Sequence, residues 1–401
     1  MASNFSLFRF FIFLLLFIFI LNPYTVVGPL AYFILPLIII PFYMRMRFVG
    51  ADTLILIYFL IGISLIGVIS SFMHGIGQFS HFKVAVSLLA YIFLSYSIFM
   101  ISRRCGLCFN DLVYLSLLVV FLNSLIILVQ VLSPSFRGFT EAFLVLSGNV
   151  DWTDGYRYRG LASGGGASLS VLIPVSMVLV FYLYAERYLG IARLVFILSP
   201  LVVSLFFIGR TGFFLAPIVF LSFVFFGFKE HFLKVFSSAL VVSFLVLAFG
   251  EEVKYFIVDL YGVAFYKYSF GFFLGGAEGL KDEGTIDAVV GFLKVMPVSF
   301  PEVLIGYGFY GVGEFYPWTD SGYSRMFLSV GYFFGLAFYF IFFFMFRDVI
   351  LYKKYLFLTI GLVLLVAEVK EPLLFTGYAS RVYVFLLASA LFGRNFDKRN
   401  V

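Results

Sequence analysis

A chain of 401 residues of which 63% are hydrophobic and 12% charged, with a mean hydropathy of +1.09, lies far outside soluble domains, which carry about 25% charged residues. A water-soluble core is excluded, and the expected class is an all-α polytopic membrane protein. Its formal charge of +6 does not call for a nucleic-acid partner, because basic residues in such a chain report topology.

At the N-terminus, Arg9 precedes an apolar run from Phe10 to Leu21 with the outline of a signal peptide. Asn22-Pro23-Tyr24 and a second apolar run follow in place of a small-x-small cleavage site, so an uncleaved first helix is expected. A helix needs roughly 17–25 apolar residues to cross a bilayer. Such windows place twelve spans, at about 6–22, 26–44, 53–70, 84–101, 112–132, 165–185, 194–208, 213–228, 235–250, 326–346, 356–371 and 377–393. The stretch 194–228 is interrupted only by Gly209-Arg210-Thr211-Gly212. At ~1.5 Å per residue it is too long for one crossing and long enough for two, so the interruption reads as a tight turn. Cys105 and Cys108 form a lone Cys-x-x-Cys; zinc needs four ligands, so two inert thiols in a short loop are expected.

With both termini on the cytoplasmic side, the inner loops hold 15 of the 27 basic residues and 6 of the 21 acidic ones. The net charge is then +9 inside and −3 outside, as the positive-inside rule expects. Two sizeable loops face outward, residues 133–164 and residues 251–325 between the ninth and tenth spans. The second carries fifteen charged residues, and charge in hydrocarbon costs at least ~2.5–3.5 kcal/mol each, so it lies outside the bilayer. Within it, Ile286–Met296 reads as a short amphipathic helix, either lying on the membrane surface or packed as an ordinary loop helix.

Arg137, Arg157, Arg159, Arg210, Arg325 and Arg381 fall on the outer side, against the bias of the inner loops. Arg157-Tyr158-Arg159-Gly160 leads into Leu161-Ala162-Ser163-Gly164-Gly165-Gly166 at the start of a helix. Glycines let amides approach a ligand, a helix N-terminus attracts anions, and guanidinium binds phosphate oxygens in pairs. That makes a clamp for phosphate or pyrophosphate; the same residues also read as close helix packing by the glycines with snorkelling arginines. Arg210, alone in its tight turn, either pairs with an acid from another helix or binds an anion.

Glu368, Lys370, Glu371 and Arg381, at the outer end of the last hairpin, are expected to pair with one another. Asp320 lies six residues after Glu314 and five before Arg325. It can deprotonate a sugar hydroxyl, hold an arginine in place, or cap the following helix. His74 and His81, in the short outer loop 72–83, are expected at the surface or against headgroups. The sequence has no Asp-x-Asp, Walker or His-Glu-x-x-His pattern, so no metal and no cofactor is expected.

The order of these features resembles the superfamily of O-antigen polymerases (Wzy) and O-antigen ligases. The resemblance rests on Arg157–Gly166, Arg210-Thr211-Gly212, Gly306-Tyr307-Gly308 and Asp320-Ser321-Gly322-Tyr323, and covers roughly residues 110–395. It implies a GT-C-like, metal-independent glycosyltransferase of lipopolysaccharide biosynthesis in the bacterial inner membrane, with a periplasmic active site. Its substrates would be undecaprenyl-pyrophosphate-linked oligosaccharide repeat units, and its partners a chain-length regulator and a flippase of the same pathway. Arg157, Arg159, Arg210, Arg325 and Arg137 would hold the pyrophosphate beside Gly160, Gly164, Gly165 and Gly166, with Asp320 or Glu314 as the base. Arg137 and Gly148 also fit the family's Arg-x10-Gly pattern. The 251–325 loop lacks the histidine that ligases often carry, which favours the polymerase. A lipid-linked oligosaccharide flippase or other transporter is the competing class. Transporters tend toward internal repeats and short loops, and this chain has one long outer loop instead.

Overall fold

The computed structural model describes residues 2–43, 51–77, 79–144, 157–225, 285–311, 316–374 and 376–399, with scattered residues between 252 and 266. An α-helix that is apolar on every side finds no stable place at a polar surface. Helix α8 (Ala167–Ala185) is the clearest case, buried at every residue from Leu169 to Leu183. Around it pack α6 (Phe109–Leu132), α9 (Ile191–Ile208), α10 (Thr211–Phe225), α15 (Lys354–Ala367) and α16 (Tyr378–Arg399). An outer layer is formed by α1 (Ala2–Leu21), α4 (Ala51–Met73), α5 (Ser80–Arg104) and α13 (Gly322–Met345). Along α4 the exposed residues Ile55, Tyr58, Leu65, Ile69 and Phe72 repeat at helical spacing, a face that suits lipid and not water.

Among the described residues, six helices are long and apolar enough to cross a membrane, running through α4, α5, α6, α8, α9 and α13. The chain is therefore helical and membrane-embedded. Shorter apolar helices cover Leu7–Leu21, Thr211–Phe225 and Lys354–Ala367, and the expected span 235–250 lies outside the described residues. The expected span 26–44 is not one rod. Gly28 at φ +113 allows a turn, Tyr24–Thr25 pairs with Gly28–Pro29, and α2 (Ala31–Ile34), a 3-10 turn (Leu35–Ile38) and α3 (Ile39–Tyr43) follow. Pro36 and Pro41 lack the amide that a continuous helix would use. The span expected at 356–371 ends at Ala367, leaving Glu368, Lys370 and Glu371 in a loop.

Residues expected on one side of the membrane meet each other. Arg9 pairs with Asp111 at 2.9 Å, Arg394 with Asp348 at 3.3 Å, and Lys353 donates to Tyr182 at 2.6 Å. Asp111 also accepts from the amide of Cys108, so the Cys105–Cys108 turn starts α6, and both cysteines are free thiols.

The 251–325 loop is described from α11 (Thr285–Lys294) onward, and its short helix is α12 (Phe300–Ile305). The carbonyl of Phe292 accepts from Thr319 at 3.0 Å and from Ser324 at 2.9 Å, so α11 packs on the start of α13 as a loop helix. Helix α13 is broken at Gly331, φ 78 and ψ 170. The break frees the carbonyls of Leu328 and Ser329, which accept instead from Tyr307 (2.6 Å) and Gly308 (2.8 Å). Ser70 of α4 donates to Gly306 at 2.5 Å, and Ser80 at the start of α5 accepts from Tyr310 at 2.6 Å. The Gly306–Tyr310 segment is thereby sewn among three helices. A Cβ on Gly308 would run into the backbone of Gly67 and Ser71.

Gly308→Ala is expected to destabilise the detergent-solubilised protein by ~1–3 kcal/mol or prevent its folding, because it combines a strained positive φ with a backbone clash. Gly291→Ala, which faces open space in α11, is expected to leave the melting temperature unchanged or slightly raised. Equal melting of the two variants would remove the Gly306–Tyr310 splice as a structural element.

Candidate functional site

The loop entering α8 is shaped by two amide side chains on α6, Asn123 and Gln130, both buried. Asn123 accepts from the amide of Leu161 at 2.7 Å and donates to the carbonyl of Arg159 at 3.3 Å. Gln130 accepts from the amide of Gly160 at 3.2 Å and donates to Thr140 at 2.6 Å. Gly160 has φ +63 and packs so closely on Asn123 that a side chain would not fit. From α16, the Tyr378 hydroxyl lies 2.8 Å from Ser163 Oγ and accepts from the amide of Gly164 at 2.6 Å. Gly166, at φ 72, then starts α8, and Gly165 rests in ordinary contact with Arg159.

The Arg210 turn docks on this helix start. Ser170 Oγ donates to the carbonyl of Gly209 at 2.6 Å and accepts from the amide of Gly212 at 2.7 Å. Upstream, the amide of Tyr158 donates to Phe207 at 2.9 Å. Arg157 and Arg210 are thus carried by two segments fixed to each other through backbone bonds.

The third and fourth segments arrive from the last two loops. Lys370 donates to Thr211 at 3.3 Å. Burial pushes its ammonium below the usual lysine range; Glu371 and Asp320 oppose the shift, and the charges of Arg157 and Arg210 add to it. Glu371 is pushed up by burial and held back chiefly by Lys370, with Asp320, Arg325 and Arg157 also acting on it. Arg325 donates to Asp320 at 2.8 Å and to the carbonyl of Thr319 at 3.0 Å. The charges of Glu371, Arg157, Arg210 and Asp320 therefore act on Lys370, and that of Arg325 reaches Glu371 beside it. The amide of Gly322 donates to the carbonyl of Glu368 at 2.8 Å, tying the Arg325 segment to the Lys370 loop.

The remaining expected residues fall elsewhere. Arg159 is buried, its guanidinium donating to the carbonyls of Leu144 at 2.6 Å and Ser163 at 3.4 Å, and burial lowers its pKa. It braces the loop from behind. Arg137 pairs with Glu141 at 2.9 Å and stacks 4.4 Å over the Tyr158 ring. Asp320 does not cap α13; Ser321 does, accepting from Ser324 at 3.4 Å, and Asp320 holds Arg325. Glu314, Gly148 and the aromatic Trp152 and Tyr156 lie outside the described residues.

The outer acids and Arg381 do not simply pair. Glu368 accepts from the amides of Leu373 and Leu374 and from Tyr339, while Arg381 donates to the carbonyls of Phe19 and Ile20 and to Tyr91. His81 is not at the surface: it is 1% exposed in the first turn of α5, with Nδ1 2.7 Å from Ser329 Oγ. Asn123, Gln130, Ser170 and Tyr378 were not singled out from the sequence. Two amides seven residues apart in an apolar span were the available signal for the first pair.

Among the described residues no group of three or more His, Cys, Asp or Glu side chains could hold a metal ion. Guanidinium and ammonium groups carried on loops held in this way can donate to the oxygens of an anion. No family model, curated protein or solved structure matches the chain.

Arg159→Ala leaves two buried carbonyls unmet, each about 1–3 kcal/mol. Its expected signature is a fall in melting temperature and faster proteolysis before α8. Arg157 is only partly buried, which predicts a smaller thermal effect for Arg157→Ala, and thermal unfolding of both in one detergent checks the ranking.

Proposed function

We propose that the chain is a surface-polysaccharide polymerase of the O-antigen type. It would move a growing glycan from undecaprenyl pyrophosphate onto the next lipid-linked repeat unit, at the periplasmic face of a bacterial inner membrane. The observation that carries this reading is that the segments bearing Arg157, Arg210, Lys370 and Arg325 are bonded to one another, Tyr158 to Phe207, Lys370 to Thr211 and Gly322 to Glu368, so that four cations are borne by one joined set of loops. A pyrophosphate leaving group gains negative charge as the glycosidic bond breaks. Fixed cations stabilise that charge more in the transition state than in the ground state.

In this reading Arg157 and Arg210 bind the pyrophosphate and Lys370 lies at its edge, held by Thr211. Arg325 is positioned by Asp320, which makes Asp320 a positioning residue and not the base. The sidedness follows from the charge bias of the loops, which puts this end of the bundle outside.

Purified protein in liposomes, given the cognate undecaprenyl-pyrophosphate repeat without metal or nucleotide, is expected to give a ladder of longer glycans on gels. Arg210→Ala should lower the rate by about 100-fold or more, the scale of losing one transition-state donor. Asp320→Asn should lower it less, through a loosened Arg325. Movement of intact glycolipid across the membrane with no ladder would replace the polymerase by a flippase.

A further inference from the structure

At the Arg9 end of the molecule, opposite the arginine cluster, lies a cleft of about 1120 Å³. Its walls come from the end of α5, the start of α6, α14 (Arg347–Tyr352) with the Lys353 that follows, and the last turns of α16. Arg103, Lys353 and Arg394 line it, with Asp348 accepting from Arg394 at 3.3 Å and the charge of Glu186 acting on Lys353. Lys353 lies 5.1–5.3 Å from the ring centroids of Phe109, Tyr182 and Tyr352, and among the described residues it forms no ion pair. The ring faces attract the ammonium and hold it at the cleft wall.

An independent feature sits deeper in the same wall. Ser389 is 1% exposed, and its hydroxyl has no hydrogen-bond partner among the described residues. Buried serines elsewhere in the bundle return their hydroxyl to the carbonyl four residues back, as Ser64, Ser102, Ser116 and Ser176 do. Leaving such a donor unmet costs about 1–3 kcal/mol. Ser389 precedes Arg394 by five residues on α16, which places it about 7.5 Å deeper at ~1.5 Å per residue. Phe99 and Leu351 supply apolar wall at that depth.

We propose that this cleft binds one anionic glycerophospholipid. Its phosphate meets Arg103, Lys353 and Arg394, an ester carbonyl accepts from Ser389, and an acyl chain runs along Phe99 and Leu351. The cations alone would serve any phosphate, since basic recesses between membrane helices attract anionic headgroups. The hydroxyl one turn and more below them, between apolar walls, is what selects a lipid over a free ion. The lipid would bridge all four elements. The inference is independent of the proposed polymerase activity, because no residue of the arginine cluster takes part.

The test uses the full chain in a non-ionic detergent, with retained ligand counted by native mass spectrometry and titrated by thermal shift. The probes are phosphatidylglycerol, phosphatidylcholine and inorganic phosphate. One phosphatidylglycerol per chain is expected to stay bound and to raise the melting temperature, with phosphatidylcholine and phosphate giving neither effect. Arg103→Gln with Arg394→Gln should weaken binding by about tenfold or more, and Ser389→Ala by about fivefold, on the scale of one or two lost hydrogen bonds. Lys83→Gln, an exposed charge at the other end, should change nothing. Ser389→Ala leaves every charge in place and removes no bond from the protein, so it tests the site even where the double variant fails to fold. Equal retention of phosphatidylcholine, protection by inorganic phosphate alone, or unchanged binding in Ser389→Ala would each overturn the proposal.

Discussion

One hydroxyl sets the geometry on which the outer end of the molecule depends. The Arg210 turn ends one apolar helix and starts another, which leaves carbonyls and amides without helical partners. In surroundings where water is scarce, each unmet group costs several kcal/mol. Ser170 Oγ meets one of each kind, donating to Gly209 and accepting from Gly212. A Cβ on Gly212 would run into the backbone and hydroxyl of Ser170, so the close approach depends on glycine at that position. The turn thereby holds the Arg210 backbone against the start of α8.

The same logic governs the other breaks in the bundle. The Arg157–Gly166 loop is held by Asn123 and Gln130 from one side and Tyr378 from the other, each serving backbone groups that no helix serves. Helix α13 opens at Gly331, and its freed carbonyls are taken up by Tyr307 and Gly308. Glu368 closes the end of α15 by accepting from Leu373 and Leu374, so a carboxylate does there what a carbonyl would do in a continuing helix. Among the described residues these breaks are met by specific partners, and scaffolds held in this way fix charged groups where solvated loops would not.

The helical frame was legible in the sequence because hydrocarbon leaves few options: runs such as Leu112–Leu132 and Val171–Leu183 have one stable conformation. The tight turn at Arg210 was legible for the same reason. What one sequence cannot carry is partnership across long separations. Arg157 and Arg159 are two residues apart in one motif, yet one stays at the cluster while the other is turned inward to Leu144 and Ser163. That difference comes from Asn123 and Gln130, more than twenty residues upstream, fixing the loop's register. His81 was read as a loop residue because hydropathy falls around it, but the helix starts at Ser80 and Ser329 of α13 lies waiting for its ring. The second expected span opens on a turn at Gly28, and its helical part tightens to a 3-10 turn at Leu35–Ile38, where Pro36 sits, features that average hydropathy hides.

Arg325 is matched by Asp320, and Lys370 has Glu371 beside it. Arg157 and Arg210 add to the pressure on Lys370 and do not relieve it. Cations gathered at reduced dielectric repel one another, and folding bears that repulsion in every molecule. The segments that carry Arg157 and Arg210 are held through groups that bear no charge: the amide of Tyr158 donates to Phe207, and Ser170 Oγ donates to Gly209 and accepts from Gly212. The placement of these two segments therefore does not depend on the charges they carry, and uncharged bonds bear the cost of bringing like charges together.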